Sequence, residues 1–321
     1  MPGADGDAEG KAMYEQIARV LYYCGVHLLY ASMVWVAACV LTSIPRGSAT
    51  AKYWIWFATS INFIVPAAAV LDRLFALHLS WARPLGFIGG VGLRIAENPA
   101  AASAVAAVWL LGTIVMAVRL YSRIRNDRRE WRAIDSCGRK DGFLADGVPV
   151  TFGAGSLGPA VDGILRPHIS LPGGIDRLLS KRELRAVLIH EVTHARRRDN
   201  LIRLIHEAGQ CALWFHPLVW ITGRRLAFYR ELSCDEPVIR SDHGGELVSA
   251  LAKLASPERG SVLQAGASSF LRHRLARLSV AKSQPISRAT GWLLMALFGA
   301  ALAAGVWGTV AHTACCFLLR K

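Results

Sequence analysis

Four stretches of the chain carry no Asp, Glu, Lys or Arg and are each long enough to cross a bilayer. They cover residues 20–44, 53–71, 98–118 and 289–319. Pro66 falls inside the second as a kink position. The fourth exceeds the length needed, so it must tilt or run past the membrane. Between the third and fourth stretches the pattern changes. Short apolar runs among glycines and prolines over 131–172 predict strands at 148–152 and 168–171. Beyond them, Ser180 and Glu183 form an S-x-x-E capping box that starts a helix. Leu184, Val187, Leu188 and Val192 then recur at helical spacing. Pro217 predicts a helix start, and Gly244-Gly245 and 257–260 predict turns. Three regions follow: 1–132 with three transmembrane helices, 133–287 as one α+β domain, and 288–321 as a fourth transmembrane helix and short tail.

Charge orients this arrangement. The 321 residues carry a net charge of +14. Arg119, Arg123, Arg125, Arg128, Arg129 and Arg132 follow the third span. Arg46 and Lys52 lie between the first two, and Arg288 precedes the fourth. These positions share one side, which the positive-inside rule makes cytoplasmic. The expectation is a multi-pass protein of the cytoplasmic (inner) membrane, with both termini outside and the 133–287 domain in the cytoplasm. The exterior 72–97 loop carries Arg73, Arg83 and Arg94, against the rule. The acidic, small-residue opening 1–10 does not read as a cleavable signal peptide. Residues 269–278, with Arg272, Arg274 and Arg277, predict a basic helix facing anionic lipid. No helix-turn-helix or finger pattern points to direct nucleic-acid binding. The seven cysteines include no C-x-x-C pair, and their odd number argues against a disulfide framework. Cys234 reads as a small buried residue or as a contact to a metal at a neighbouring site.

The chemistry concentrates at His190-Glu191-Val192-Thr193-His194, an H-E-x-x-H motif two turns into the capped helix. Spacing of four places both imidazoles on one helical face, able to share one zinc ion. Glu191 is offset around the helix, within reach of a water at the metal. Downstream, Glu231 and Asp235 share a face in E-x-x-x-D spacing. They suit a third ligand and a hydrogen-bond partner for a ligand histidine, or an ordinary solvated acidic face. His206, His216 and Tyr229 are candidates to stabilise an oxyanion, or else packing residues. Asp199 suits either a partner to a ligand histidine or a salt bridge to the adjacent arginines. Arg196, Arg197 and Arg198 read as a helix C-terminal charge run. His27 stands alone in the first span.

Several segments, taken in order, resemble the M56 family of membrane metallopeptidases, the family of the BlaR1/MecR1 antibiotic sensors. They are Gly163 to Pro172, Glu183 to Glu191, Arg196 to Asp199, His216-Pro217-Leu218-Val219-Trp220, and Glu231 to Asp235. The resemblance implies a gluzincin-type zinc peptidase with one zinc per chain. It implies His190, His194 and Glu231 as ligands, Glu191 as catalytic base and Asp235 as support to a ligand. It further implies a cleft lined by the segment 166–171, holding an extended peptide. The expected function is regulatory: cleavage of the protein itself or of a cytoplasmic protein such as a transcriptional repressor, in response to a signal. The antibiotic receptors carry a penicillin-binding sensor after the fourth span, whereas this sequence stops at Lys321. Sensing is then expected through the spans, the 72–97 loop or a partner. Two rivals stand beside this reading. One is a non-catalytic membrane signalling protein with a silent zinc fold, and the other a Ste24/HtpX-like quality-control protease.

Overall fold

A computed structural model describes residues 24–25, 27–44, 47–66, 98–137, 139–153, 158–255, 274–275, 278 and 288–318. Four helices come from the apolar stretches: α1 (His27–Ser43), α2 (Ala49–Ile64), α3 (Pro99–Cys137) and α9 (Arg288–Leu318). Two of them, within α3 and α9, are long and apolar enough to cross a membrane, and α1 is a shorter apolar helix. Leu111, Val108 and Val118 on α3 and Trp292 and Trp307 on α9 face outward, as lipid-facing side chains would. At 39 residues α3 is about 58 Å long, so its arginine-rich half continues well beyond a hydrocarbon layer of about 30 Å. The second stretch departs from expectation. α2 ends at Ile64, two residues before Pro66, as the restriction on the residue before proline favours, and the rest of the stretch, 67–71, lies outside the described residues. Along α2, Tyr53, Ile55, Trp56, Thr59 and Phe63 are buried inside the protein. The predicted 72–97 loop and most of the basic 269–278 helix lie outside the described residues.

The α+β part begins with a hairpin. Strands β1 (Arg139–Ala145) and β2 (Val148–Gly153) pair antiparallel around Asp146-Gly147, both with positive φ. That is the Asp-Gly turn that best matches strand twist. Strands β3 (Ala160–Asp162) and β4 (His168–Pro172) complete a four-stranded sheet of order β1-β2-β4-β3. β2 and β4 are parallel, and β3 is antiparallel to β4. A short helix α4 (Ile175–Leu178) leads to α5 (Lys181–Arg197), α6 (Asp199–Ala212), α7 (Pro217–Arg240) and α8 (Gly244–Leu254). The capping box forms as the sequence predicts, and Pro217 opens α7. Gly244-Gly245, expected as a turn, instead starts α8 behind His243.

Two large apolar cores stand out among the described residues, beside a small cluster of Ala31, Phe63 and Val219. One joins Val150, Ile169 and Leu171 of the sheet to Val187 and Val192 of α5, Leu247 of α8 and Val238 of α7. The other joins Val34 of α1, Tyr53 and Trp56 of α2, and Leu294 and Phe298 of α9 to Ile202 of α6 and Leu226 and Leu232 of α7. Helix α7 therefore belongs to both, and the apolar helices pack directly on the helices that carry the candidate chemistry. The loop between α6 and α7 is also tied to α3. Trp109 donates its indole N–H to the Ala212 carbonyl at 2.8 Å, and Trp214 donates to the Trp109 carbonyl at 3.3 Å. A Cβ at Gly112 would collide with the Trp214 indole.

The cap of α5 sits in a wider polar cluster. Ser180 N–H donates to Glu183 at 2.7 Å, Lys253 donates at 2.8 Å and Ser249 also donates. These bonds, that of Lys253 foremost, hold the Glu183 carboxyl down at about 2. Ser180→Ala is expected to cost about 1 kcal/mol of stability, measured as a lowered melting temperature. The Glu183 carboxyl is depressed, so its contribution is complete above its ordinary value of 4.5 and is lost as pH falls towards about 2. Glu183→Gln should therefore melt below wild type at neutral pH, with the gap closing between pH 4.5 and 2.

Candidate metal centre

Helix α5 presents His190 and His194 on one face, and α7 crosses it carrying Glu231 and Asp235. His190 Nε2 lies 3.1 Å from His194 Nε2 and 3.6 Å from Glu231 Oε2, and His194 Nε2 lies 3.8 Å from the same oxygen. Donors held tetrahedrally about 2.1 Å from one ion stand about 3.4 Å apart. The three observed separations bracket that value, so two imidazoles and one carboxylate fit a zinc ion by spacing and by chemistry. Glu191 and the three donors all border a cleft of ≈ 320 Å³.

The remaining nitrogen of each histidine meets a carboxylate. His194 Nδ1 lies 2.6 Å from Asp199 Oδ2, and His190 Nδ1 lies 3.0 Å from Asp235 Oδ1. The first is a hydrogen bond, and the second is a close ion-pair contact. With Nδ1 turned to a carboxylate, Nε2 of each ring is left facing the shared point. Asp199 reaches back to His194 because Arg198 adopts a left-handed conformation (φ 57, ψ 48) that ends α5 and begins α6. Asp199 also accepts from Arg197 Nε and Nη2, each at 2.6 Å, and from the Tyr53 hydroxyl at 3.0 Å. Both alternatives left open for Asp199 are thus realised at once.

Burial and neighbouring charges act in opposite directions within this cluster. Burial alone would lower the His190 pKa, but Asp235 and Glu231 outweigh it and hold the ring at about 9. Burial likewise opposes charge on His194, and Cys234, Glu231 and Asp199 raise it. The two Nε2 atoms lie 3.1 Å apart, and a cation binding both would need each ring neutral. Burial would raise the carboxyl of Glu231, yet the two histidines and Arg230 keep it well below the ordinary range.

Other sequence candidates fall elsewhere. His206 contacts Ser60 at 2.7 Å, Tyr229 donates to the Thr42 carbonyl at 3.3 Å, and His216 precedes α7 beside Phe63. None of the three borders the cleft. Arg197 is no mere charge run: it is turned inward to Asp199, Ser233, Cys234 and the Arg230 carbonyl. Cys234 is fully buried, as expected. Arg274, expected to face lipid, is buried and donates to Asp235 at 2.7 and 3.0 Å and to Glu231 at 3.4 Å. The strand beside the cleft also differs. β4, which covers most of the expected 166–171 segment, lies inside the sheet, and Ala160 and Val161 of β3 border the cleft instead. Asn200, one residue past Asp199, donates to the carbonyls of Val161 and Gly163 and fixes β3 to α6.

Comparison with known proteins identifies the family. The chain is 24% identical over 246 residues to the regulatory protein BlaR1 of Bacillus licheniformis, covering 71% of this chain and 40% of that protein. It is 20% identical over 143 residues to methicillin resistance mecR1 proteins of Staphylococcus aureus and Staphylococcus epidermidis, covering 41% of this chain and 24% of each relative. The chain therefore spans well under half the length of these relatives. The family profile described as BlaR1 peptidase M56 matches residues 91–278, which include every donor of the cluster. The chain belongs to the BlaR1 peptidase M56 family of metallopeptidases.

Proposed function

We propose that the chain is an integral membrane zinc metalloendopeptidase with a regulatory role. The observation that carries this reading is the convergence of His190, His194 and Glu231 within one ligand distance, with Glu191 beside them on the cleft wall. Those three residues would hold one zinc ion, which would polarise a peptide carbonyl and make a water more acidic. Glu191 would take a proton from the attacking water and return it to the leaving amine nitrogen. Asp199 and Asp235 keep the two imidazoles oriented, and Arg274 keeps Asp235 in place. The outer edge of β3 would receive an extended substrate by main-chain hydrogen bonds, with Val187, Leu247 and Leu251 forming the apolar wall opposite.

The substrate in this reading is the protein itself or a cytoplasmic protein such as a transcriptional repressor, cut in response to a signal. Similarity to a regulatory protein and to methicillin resistance proteins supports a role in regulation. The proposed setting is four transmembrane helices with the peptidase face on the cytoplasmic side, supported by the outward apolar faces of α3 and α9 and the arginines following residue 118.

Detergent-purified protein should contain about one zinc per chain by elemental analysis, and His194→Ala should lose it. Glu191→Gln should keep the metal yet cut a candidate substrate at least 100-fold more slowly, scored by gel on matched amounts of protein. Undiminished cleavage by Glu191→Gln would remove Glu191 from the chemistry.

A further inference from the structure

Helix α2 belongs to the apolar part of the chain, yet it reaches the metal centre directly. Tyr53 is fully buried and donates its hydroxyl to Asp199 Oδ1 at 3.0 Å. The other oxygen of that carboxylate meets His194 Nδ1 at 2.6 Å. The Tyr53 ring also supports the third partner of Asp199, since the Arg197 guanidinium carbon lies 4.0 Å from the ring centroid. One side chain thus sets the carboxylate from two directions, by a hydrogen bond and by a cation–π contact. A second tie fixes where α2 stands. The buried carboxylate of Glu236, adjacent to Asp235, accepts from the Ala49 N–H, from Thr50 Oγ1 at 2.6 Å and from Ser48 Oγ at 3.0 Å. It sits at the N-terminus of α2, where exposed N–H groups favour an anion. The helix is therefore pinned to α7 at its first turn and to α6 one turn later.

We infer that Tyr53 is a positioning residue of the metal centre, holding His194 in its ligating orientation through Asp199, so that α2 is part of the site. This rests on the zinc reading above. Removal of the hydroxyl takes away one of the two donors to Oδ1 and leaves the carboxylate that orients His194 held in place by Arg197 alone. Partners behind metal ligands commonly contribute 10- to 100-fold in affinity.

The test compares full-length wild type, Tyr53→Phe, Asp199→Ala and Ile55→Val in detergent. Zinc affinity is read by chelator competition, and geometry by the visible absorption of the cobalt(II)-loaded protein. Tyr53→Phe keeps the ring and its contact with Arg197, so the fold is retained. Its zinc affinity should fall about 10-fold, with a changed cobalt spectrum. Ile55→Val, also buried on α2, should lower the melting temperature and leave both metal readouts at the wild-type level. Tyr53→Phe binding zinc within about twofold of wild type, while Asp199→Ala binds weakly, would overturn the role of Tyr53 and leave the zinc site standing. Wild type binding neither zinc nor cobalt would overturn the zinc reading and this inference together.

Discussion

A carboxylate taken out of water must be met by enough donors to replace its hydration, and at Asp199 that requirement draws three parts of the chain together. Arg197 comes from the end of α5, His194 from the turn before it, and Tyr53 from α2, which is 146 residues away in sequence. Burial would push the Asp199 carboxyl up, and Arg197 and His194 pull it below its ordinary value. The left-handed Arg198 is the local cost of this convergence, since that conformation is unfavourable by roughly 1–2 kcal/mol for an L-residue. Loosening any one of these groups would leave an underpaired charge beside the others, so the corner holds as a unit.

Two cores meeting along one helix place the candidate chemistry at a seam. Leu226 and Leu232 of α7 pack with the apolar helices, whereas Val238 packs with the sheet. Glu231 and Asp235 stand between them. The helices that carry the candidate site do not pack as a separate unit; their core uses side chains from α1, α2 and α9.

What the sequence disclosed followed from local rules. The capping box, the helical recurrence of Leu184, Val187 and Val192, and the four-residue spacing of the histidines depend on nothing beyond one helix. Glu231 and Asp235 were legible for the same reason, and the family match covers them. Arg274 was not, because its near neighbours in sequence include arginines that suit a lipid surface and no local pattern marks Arg274 as buried. Tyr53 was read as part of an apolar span, and only tertiary contact reveals its hydroxyl against Asp199. The cleft strand was misplaced because β3 is only three residues long, too short to show alternation, while the longer His168–Pro172 run is covered on both edges.

The notch at Gly112 bears on how mechanical force travels. The Trp214 indole fills it and is hydrogen-bonded to the Trp109 carbonyl on the preceding turn of α3. A knob seated in a hole in this way resists sliding along the axis. An axial shift of α3 would therefore not be absorbed where it arises. The loop between α6 and α7 would be carried with it, and the two helices bearing Asp199 and Glu231 would be levered from their shared end.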